Sequence, residues 1–349
     1  MRWLLIALLV LALRISDCCG RRQGASVTST PVVLWHGINS CASSNLRDKN
    51  LIKRVFPEKY VLMIKIGNTE RETKDLSRSL LGPGLLAYLS RFAGIELRKL
   101  SELSSLVLCY ISGHPLELLQ EKWNSVFLNA NKQIRIACNI LRRDPRLKYG
   151  YHGIGFSQGG QLMRGLAERC PYPPMKNLIS MGGQHQGVFG IPNCSEGEEA
   201  LCEALRYVVD FGIYNKYVQN FIVPAEYWHD PYQELTYRAK SIFLADINNE
   251  RKINKFYKRN FLNLKNVVLV KFIHDHTVTP PETEWFGFFA PGQAEIIQTY
   301  NQTRLYEKDL IGLKQMHRTR KLHFLSLNAD HLQYSDKFFI NEIAKKYLA

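Results

Sequence analysis

The sequence predicts an α/β fold: a mainly parallel sheet with helices on both faces and a helical cap inserted into it. Three observations carry that reading. Short apolar, β-branched runs of the buried-strand kind alternate with helical segments from residue 31 to residue 327. One of these runs passes through a Gly-x-Ser-x-Gly turn directly into a helical pattern. The alternation is then broken once, over residues 195–262, by helical and aromatic-rich sequence. With 349 residues, 46% of them hydrophobic, the chain is long enough for one large domain, placed here over 27–349.

In chain order, Met1-Arg2 followed by the apolar run Trp3 to Leu13 reads as a signal peptide over 1–20, cleaved between Cys18 and Ala25. Its apolar stretch is too short for a permanent membrane span, and no later stretch is longer. Pro31 to Trp35 is the first strand, ending in the polar turn His36-Gly37-Ile38-Asn39-Ser40. Tyr60 to Gly67 is the second. Gln133 to Leu141 has the spacing of an amphipathic helix and leads to the strand that carries the serine turn. Further buried strands follow at Asn177 to Gly183, Val267 to Ile273 and His323 to Leu327. The interruption at 195–262 supplies apolar walls that a bare sheet edge lacks, with Trp228 as one candidate lining residue beside Gly37. Trp228 fits a packed core equally well.

Gly153-Ile154-Gly155-Phe156-Ser157-Gln158-Gly159-Gly160 is the stretch with chemistry in it. Leu162, Met163 and Leu166 follow at helical spacing, so the turn joins strand to helix. Positions 155 and 159 call for glycine, because a Cβ there would strike the neighbouring strand or helix. Such a turn lifts the Ser157 hydroxyl clear of the sheet, at a helix N-terminus that favours developing negative charge. The rival reading is an ordinary Gly-rich turn. A serine hydroxyl needs a base, and the partners of this turn follow in the order Ser, Asp, His at the ends of later strands. Asp275 follows the strand Val267 to Ile273, and His331 follows the last strand. His331 would take the Ser157 proton, and Asp275 would fix the imidazole tautomer. Among the ten histidines, His274 and His276 come too early, while His36 and His185 line or brace the site. Asp330 adjoins His331 but follows the wrong strand. Two backbone N–H groups, on Gln158 and Ile38, are the expected oxyanion hole.

Composition sets the surroundings. The net charge of +15 raises nucleic acid as a partner, but no binding motif accompanies it. The cluster Arg251, Lys252, Lys255, Lys258 and Arg259 reads as a solvated helix face, with an anionic membrane surface a better partner than DNA. Eight cysteines fit an oxidising compartment. Cys194 and Cys202 close a short loop, and Cys138 and Cys170 lie in helices flanking the serine strand and could bridge them. No metal-ligand spacing competes with these pairings, and the chemistry calls for neither metal nor organic cofactor. Asn193 and Asn301 are sequons that suit a secreted chain, although Cys194 is the middle residue of the first.

Several segments resemble the palmitoyl-protein thioesterase family, of the lysosomal kind, within the α/β-hydrolase superfamily. They are Leu34 to Gly37, Gly155 to Gln161, Asn177 to Gly190, Ala225 to Pro231, Ser241 to Asn248, Glu284 to Phe288 and Asp330 to Gln333. The resemblance implies an α/β-hydrolase fold and hydrolysis, through a serine acyl-enzyme, of the thioester joining palmitate to cysteine in S-acylated proteins. It also implies the triad Ser157, Asp275 and His331, and the pairs Cys138–Cys170 and Cys194–Cys202. Two departures stand out. Ala42 occupies the place of a family cysteine, which leaves Cys41 free, and Cys109 has no assigned partner. Residues 70–117 have no recognised family counterpart and read as a surface excursion or as retained intronic sequence. Rival functions are a general lipase or carboxylesterase, an acyl-CoA thioesterase of the same fold, and a non-catalytic lipid-binding module.

Overall fold

A computed structural model describes residues 29–67, 116–190 and 212–349. Its centre is a six-stranded, wholly parallel sheet. The strands are β1 (Val32–Trp35), β2 (Val61–Met63), β3 (Tyr151–Phe156), β4 (Met175–Met181), β5 (Asn266–Phe272) and β8 (Leu322–Leu327), in the spatial order β2-β1-β3-β4-β5-β8. Two further short strands, β6 (Phe288–Phe289) and β7 (Ile297–Gln298), form a separate antiparallel ribbon. Register runs straight across the middle of the sheet, with Leu34 beside Ile154, Ile154 beside Ile179 and Ile179 beside Val268. All four residues of β1 and all six of β3 are buried. That explains why β1 reads as an unbroken apolar run rather than an alternating one: both faces of a parallel sheet are covered.

The two faces bury different residues, as a period of two requires. Val33 and Trp35 belong to a core shared with helices on one side, and Val32 and Leu34 to a second core on the other. The helices of interest are α1 (Leu46–Val55), α2 (Leu116–Phe127), α3 (Ala130–Arg143) and α4 (Gln158–Arg169). In α3 the buried set Ile134, Ala137, Cys138 and Leu141 falls on one stripe, and Asn129 caps the helix by accepting from the N–H groups of Asn131 and Lys132. Helix α4 is buried at every residue from Gln158 to Glu168, because it lies between the sheet, α3 and the segment that follows β4.

Between β4 and β5 the described residues form five short helices: α5 (Lys216–Phe221), α6 (Val223–Glu226), α7 (Glu234–Lys240), α8 (Leu244–Ile247) and α9 (Lys255–Leu262). Two buried acids and a buried base fasten this region to the rest. Glu226 accepts from the Ala130 N–H at the start of α3, at 3.0 and 3.2 Å. Arg164 of α4 pairs with Glu168 at 2.9 Å and also donates to the carbonyls of His185 and Ile247 and to Asn248. Burial raises the Glu226 carboxyl well above its ordinary range despite the Ala130 N–H.

The expected elements differ mostly at their ends. Strand β2 stops at Met63 rather than reaching Gly67, because β1 offers only four residues to pair with. Ile64 and Ile66 are nonetheless buried, and the Ile64 N–H still donates to Leu34. The signal segment 1–20, Cys109, and Asn193 with Cys194 and Cys202 lie outside the described residues, as does most of 70–117 and the first part of 195–262.

Candidate active site

Ser157 sits between the end of β3 and the first residue of α4 with φ 54 and ψ −126. A non-glycine residue in that region costs about 1–3 kcal/mol, and such strain persists only where the surroundings enforce it. Here they do. A Cβ on Gly155 would lie 2.2 Å from the Gly159 carbonyl oxygen, and one on Gly159 would lie 2.3 Å from that of Trp35. The turn is therefore clamped between β1 and α4, and the Ser157 N–H donates to Met181 of β4 at 2.8 Å.

That last bond leads to the histidine. Gly182, the next residue after Met181, adopts φ +67, and a Cβ placed there would come within 3.0 Å of the His331 ring. The imidazole thus lies over the end of β4, next to the strand end that holds Ser157. His331 Nδ1 is hydrogen-bonded to Asp275 Oδ2. A carboxylate only accepts, so Nδ1 carries the proton and Nε2 is left to receive one. No hydrogen bond joins Ser157 Oγ to His331, a looseness common in triads without substrate. Asp275 Oδ1 accepts from the N–H groups of Thr277 and Val278 at 2.8 and 2.7 Å. Burial by itself would raise the Asp275 carboxyl; the His331 side chain bonded to it, together with the Val278 N–H, holds it below its ordinary value.

The other sequence candidates fall around this centre. Gly37 is beside the serine, where a Cβ would meet Ser157 Cβ at 3.2 Å, and Ile38, the next residue, is half-buried. Gln158 opens α4, and the first N–H groups of a helix have no partner within it. Its side chain is held on both sides, by the Ser125 carbonyl at 2.8 Å and the Tyr227 hydroxyl at 3.2 Å. His36 is buried and bonds the Gly37 carbonyl, and burial lowers its pKa to about 4. His185 bonds Ser180 at 2.9 Å. His274 bonds Asn328, and Asp330 accepts from the backbones of His276 and His331, so these groups brace the loops.

Trp228 is buried and lines a cavity of about 710 Å³ with Phe189, Ile213 and Tyr214, among others. Neither Ser157 nor His331 is part of that lining. Cys138 and Cys170 are disulfide-bonded, with their Cα atoms 5.9 Å apart, and Cys41 is free and buried. Asn301 is exposed. Of the basic cluster, Lys255, Lys258 and Arg259 lie on α9 while Arg251 and Lys252 precede it, and α9 sits at the far end of α4 from Ser157, since Asn260 bonds the Glu168 carbonyl and the Tyr257 ring faces Arg169.

A family model described as palmitoyl protein thioesterase matches residues 97–331, which includes the serine turn, Asp275 and His331. The chain belongs to the palmitoyl protein thioesterase family. Palmitoyl-protein thioesterase 1 of Caenorhabditis elegans is 40% identical over 320 residues, covering 91% of this chain and 91% of the relative. Palmitoyl-protein thioesterase 3 of Dictyostelium discoideum is 29% identical over 309 residues, or 88% of this chain and 87% of that one. Lysosomal thioesterase PPT2-B of Xenopus laevis is 29% identical over 205 residues, 58% of this chain and 67% of the relative. As a member of the palmitoyl protein thioesterase family the chain is an enzyme, a thioesterase on an α/β-hydrolase fold. The family match begins inside the 70–117 segment that the sequence reading set apart. No helix of the described residues is long and apolar enough to cross a membrane.

One acidic residue at this candidate site escaped sequence reasoning. Glu284, on the 3-10 turn Pro281–Trp285, is buried beside Asp275, and its Oε2 accepts from the Phe272 N–H at 2.9 Å. Nothing in the run Glu284-Trp285-Phe286 signals that role, because it depends on a turn folding back onto β5.

Proposed function

We propose that this chain hydrolyses the thioester between a long fatty acyl group, palmitate above all, and cysteine in S-acylated proteins, in the lysosome. Ser157 Oγ attacks the thioester carbonyl carbon as its proton passes to His331 Nε2. The oxygen of the tetrahedral intermediate takes hydrogen bonds from the backbone N–H groups of Gln158 and Ile38. Asp275 keeps the imidazole in the tautomer that can accept a proton and stabilises the imidazolium that results. Collapse of the intermediate breaks the carbon–sulfur bond, and the cysteine sulfur leaves with the proton held by His331. Water, deprotonated by His331, then attacks the acyl-Ser157 ester, which releases the fatty acid and restores the serine. A thiol has a pKa near 8.5, so the leaving group needs far less protonation than an alkoxide would.

The observation that carries this reading is the strained Ser157 turn beside the His331–Asp275 pair. The names of the relatives support the substrate and the compartment. The test is hydrolysis of a palmitoyl-cysteine peptide and its matched oxygen ester by the wild type and by Ser157→Ala. Cleavage of the thioester that disappears in a folded Ser157→Ala variant is the expected result. Preference for the oxygen ester would favour a carboxylesterase, preference for palmitoyl-CoA an acyl-CoA thioesterase, and undiminished hydrolysis in Ser157→Ala would remove the serine from the mechanism.

A further inference from the structure

We propose that Glu284 is a positioning residue for the Asp275–His331 pair: as a neutral carboxylic acid it donates a hydrogen bond from Oε1 to the Asp275 carboxylate. The proposal rests on the triad reading of Ser157, Asp275 and His331.

Both oxygens of Glu284 are accounted for in this way. Oε2 already accepts the Phe272 N–H at the end of β5, while Oε1 is buried with no donor facing it. Another carboxyl lies close by. The nearest ligand-type atoms of Asp275, Glu284 and His331 all lie within 4.8 Å of one another. Two ionised carboxylates, both acceptors only, cannot hydrogen-bond, and burying them side by side is strongly unfavourable. One proton between them removes both difficulties. Asp275 is the wrong place for it, because Asp275 already accepts from two backbone N–H groups and from His331, all of which favour the ionised form. Glu284 accepts from a single backbone donor, so the proton belongs there. Burial, followed by the adjacent Asp275 carboxylate, raises the Glu284 carboxyl well above its ordinary range.

The remaining charged neighbours do not supply an alternative counter-charge. Lys271 of β5 attracts Glu284 only weakly and is engaged with Glu282, on the same turn, at 3.3 Å. The turn itself is rigidly placed. Trp285 Nε1 donates to the Leu269 carbonyl at 3.0 Å, and the Thr283 carbonyl accepts from the His185 N–H at 3.1 Å. Glu284 therefore connects the end of β5 to the carboxylate three residues further on, and holds Asp275 aimed at His331.

Two variants and two readouts test this. Glu284→Gln keeps an acceptor for Phe272 and an N–H donor for Asp275. Glu284→Met keeps the volume and loses both. In Glu284→Gln, kcat and the pH profile are expected to stay within about threefold and a few tenths of a pH unit of wild type. In Glu284→Met, kcat should fall roughly 10- to 100-fold with little change in KM, as expected for a slight misplacement of a catalytic group. Its acid limb should move to higher pH, since an Asp275 carboxylate that has lost this donor holds the His331 imidazolium more firmly. The second readout needs no substrate. The downfield proton resonance of His331 Nδ1–H, assigned by its loss in His331→Ala, should persist in Glu284→Gln and broaden or shift in Glu284→Met. This resonance separates failure of the positioning role from failure of the thioesterase reading, which would leave the resonance pattern intact but abolish turnover in the wild type. An acid limb that moves to lower pH in Glu284→Gln would mean that Glu284 is ionised, and would overturn the proposal. So would metal-dependent activity that Glu284→Gln abolishes, which would make the three side chains ligands of a cation. If Glu284→Met does not fold, the Glu284→Gln profile and resonance decide alone.

Discussion

At Asp275 two backbone N–H groups and one imidazole converge on a single carboxylate, and the pH behaviour of the site follows from that crowding. The folded carboxyl titrates below its ordinary value, so its contribution to stability is fully present above the unfolded pKa, near 3.9, and is lost as pH falls through the lower folded value. Asp275→Asn should therefore flatten the acid side of a plot of melting temperature against pH, and should lower kcat by about 10⁴ through the wrong imidazole tautomer. Unchanged turnover in a folded Asp275→Asn would move the acid role elsewhere. Ser157, Asp275 and His331 were all legible as residues, because a Gly-x-Ser-x-Gly turn and two strand ends are local signals. Glu284 was not legible. Its chemistry comes from a neighbour nine positions away in sequence, brought close only when the Pro281–Trp285 turn packs on β5.

Between elements, the bond from Cys138 of α3 to Cys170 at the end of α4 is the covalent tie on the helical layer beside β3. Its closed loop spans 32 residues in sequence. Loop-entropy arguments put its worth at about 3–4 kcal/mol, since the unfolded chain is what it constrains most. Cys138→Ser should lower the unfolding free energy by that order in denaturant titrations, with reductant reproducing the loss in the wild type. A variant as stable as the parent would show that packing of α3 on α4 suffices. Strands β1 and β5 were legible as elements because both faces are buried over most of their length, so runs of Val and Leu marked them. The ribbon of β6 and β7 was not, for two residues per strand leave no periodicity to detect.

At the scale of the whole molecule, α4, the segment after β4 and the end of α8 are joined by a fully buried charge, Arg164. Removing one partner of such a pair leaves the other charge uncompensated, at a cost of about 3–5 kcal/mol. Arg164→Ala should lose that much in chemical denaturation, whereas Arg164→Met combined with Glu168→Leu should recover only part, because the His185 carbonyl and Asn248 stay unpaired. A loss below about 1 kcal/mol for Arg164→Ala would show that this region is held by apolar packing alone. The sequence foretold an interruption of the alternation here but not this anchor, since an arginine in a helix reads by default as exposed. The sheet order has one more consequence, and it concerns time. The Ser157 turn closes against Trp35 of β1, His36 after it and Met181 of β4, and its two proposed partners follow β5 and β8. A nascent chain halted before residue 331 can fold its serine turn and still lack the imidazole. On the proposed triad, reactivity would be withheld until the edge strand docks, and an unfinished or locally opened molecule would carry a chemically silent serine.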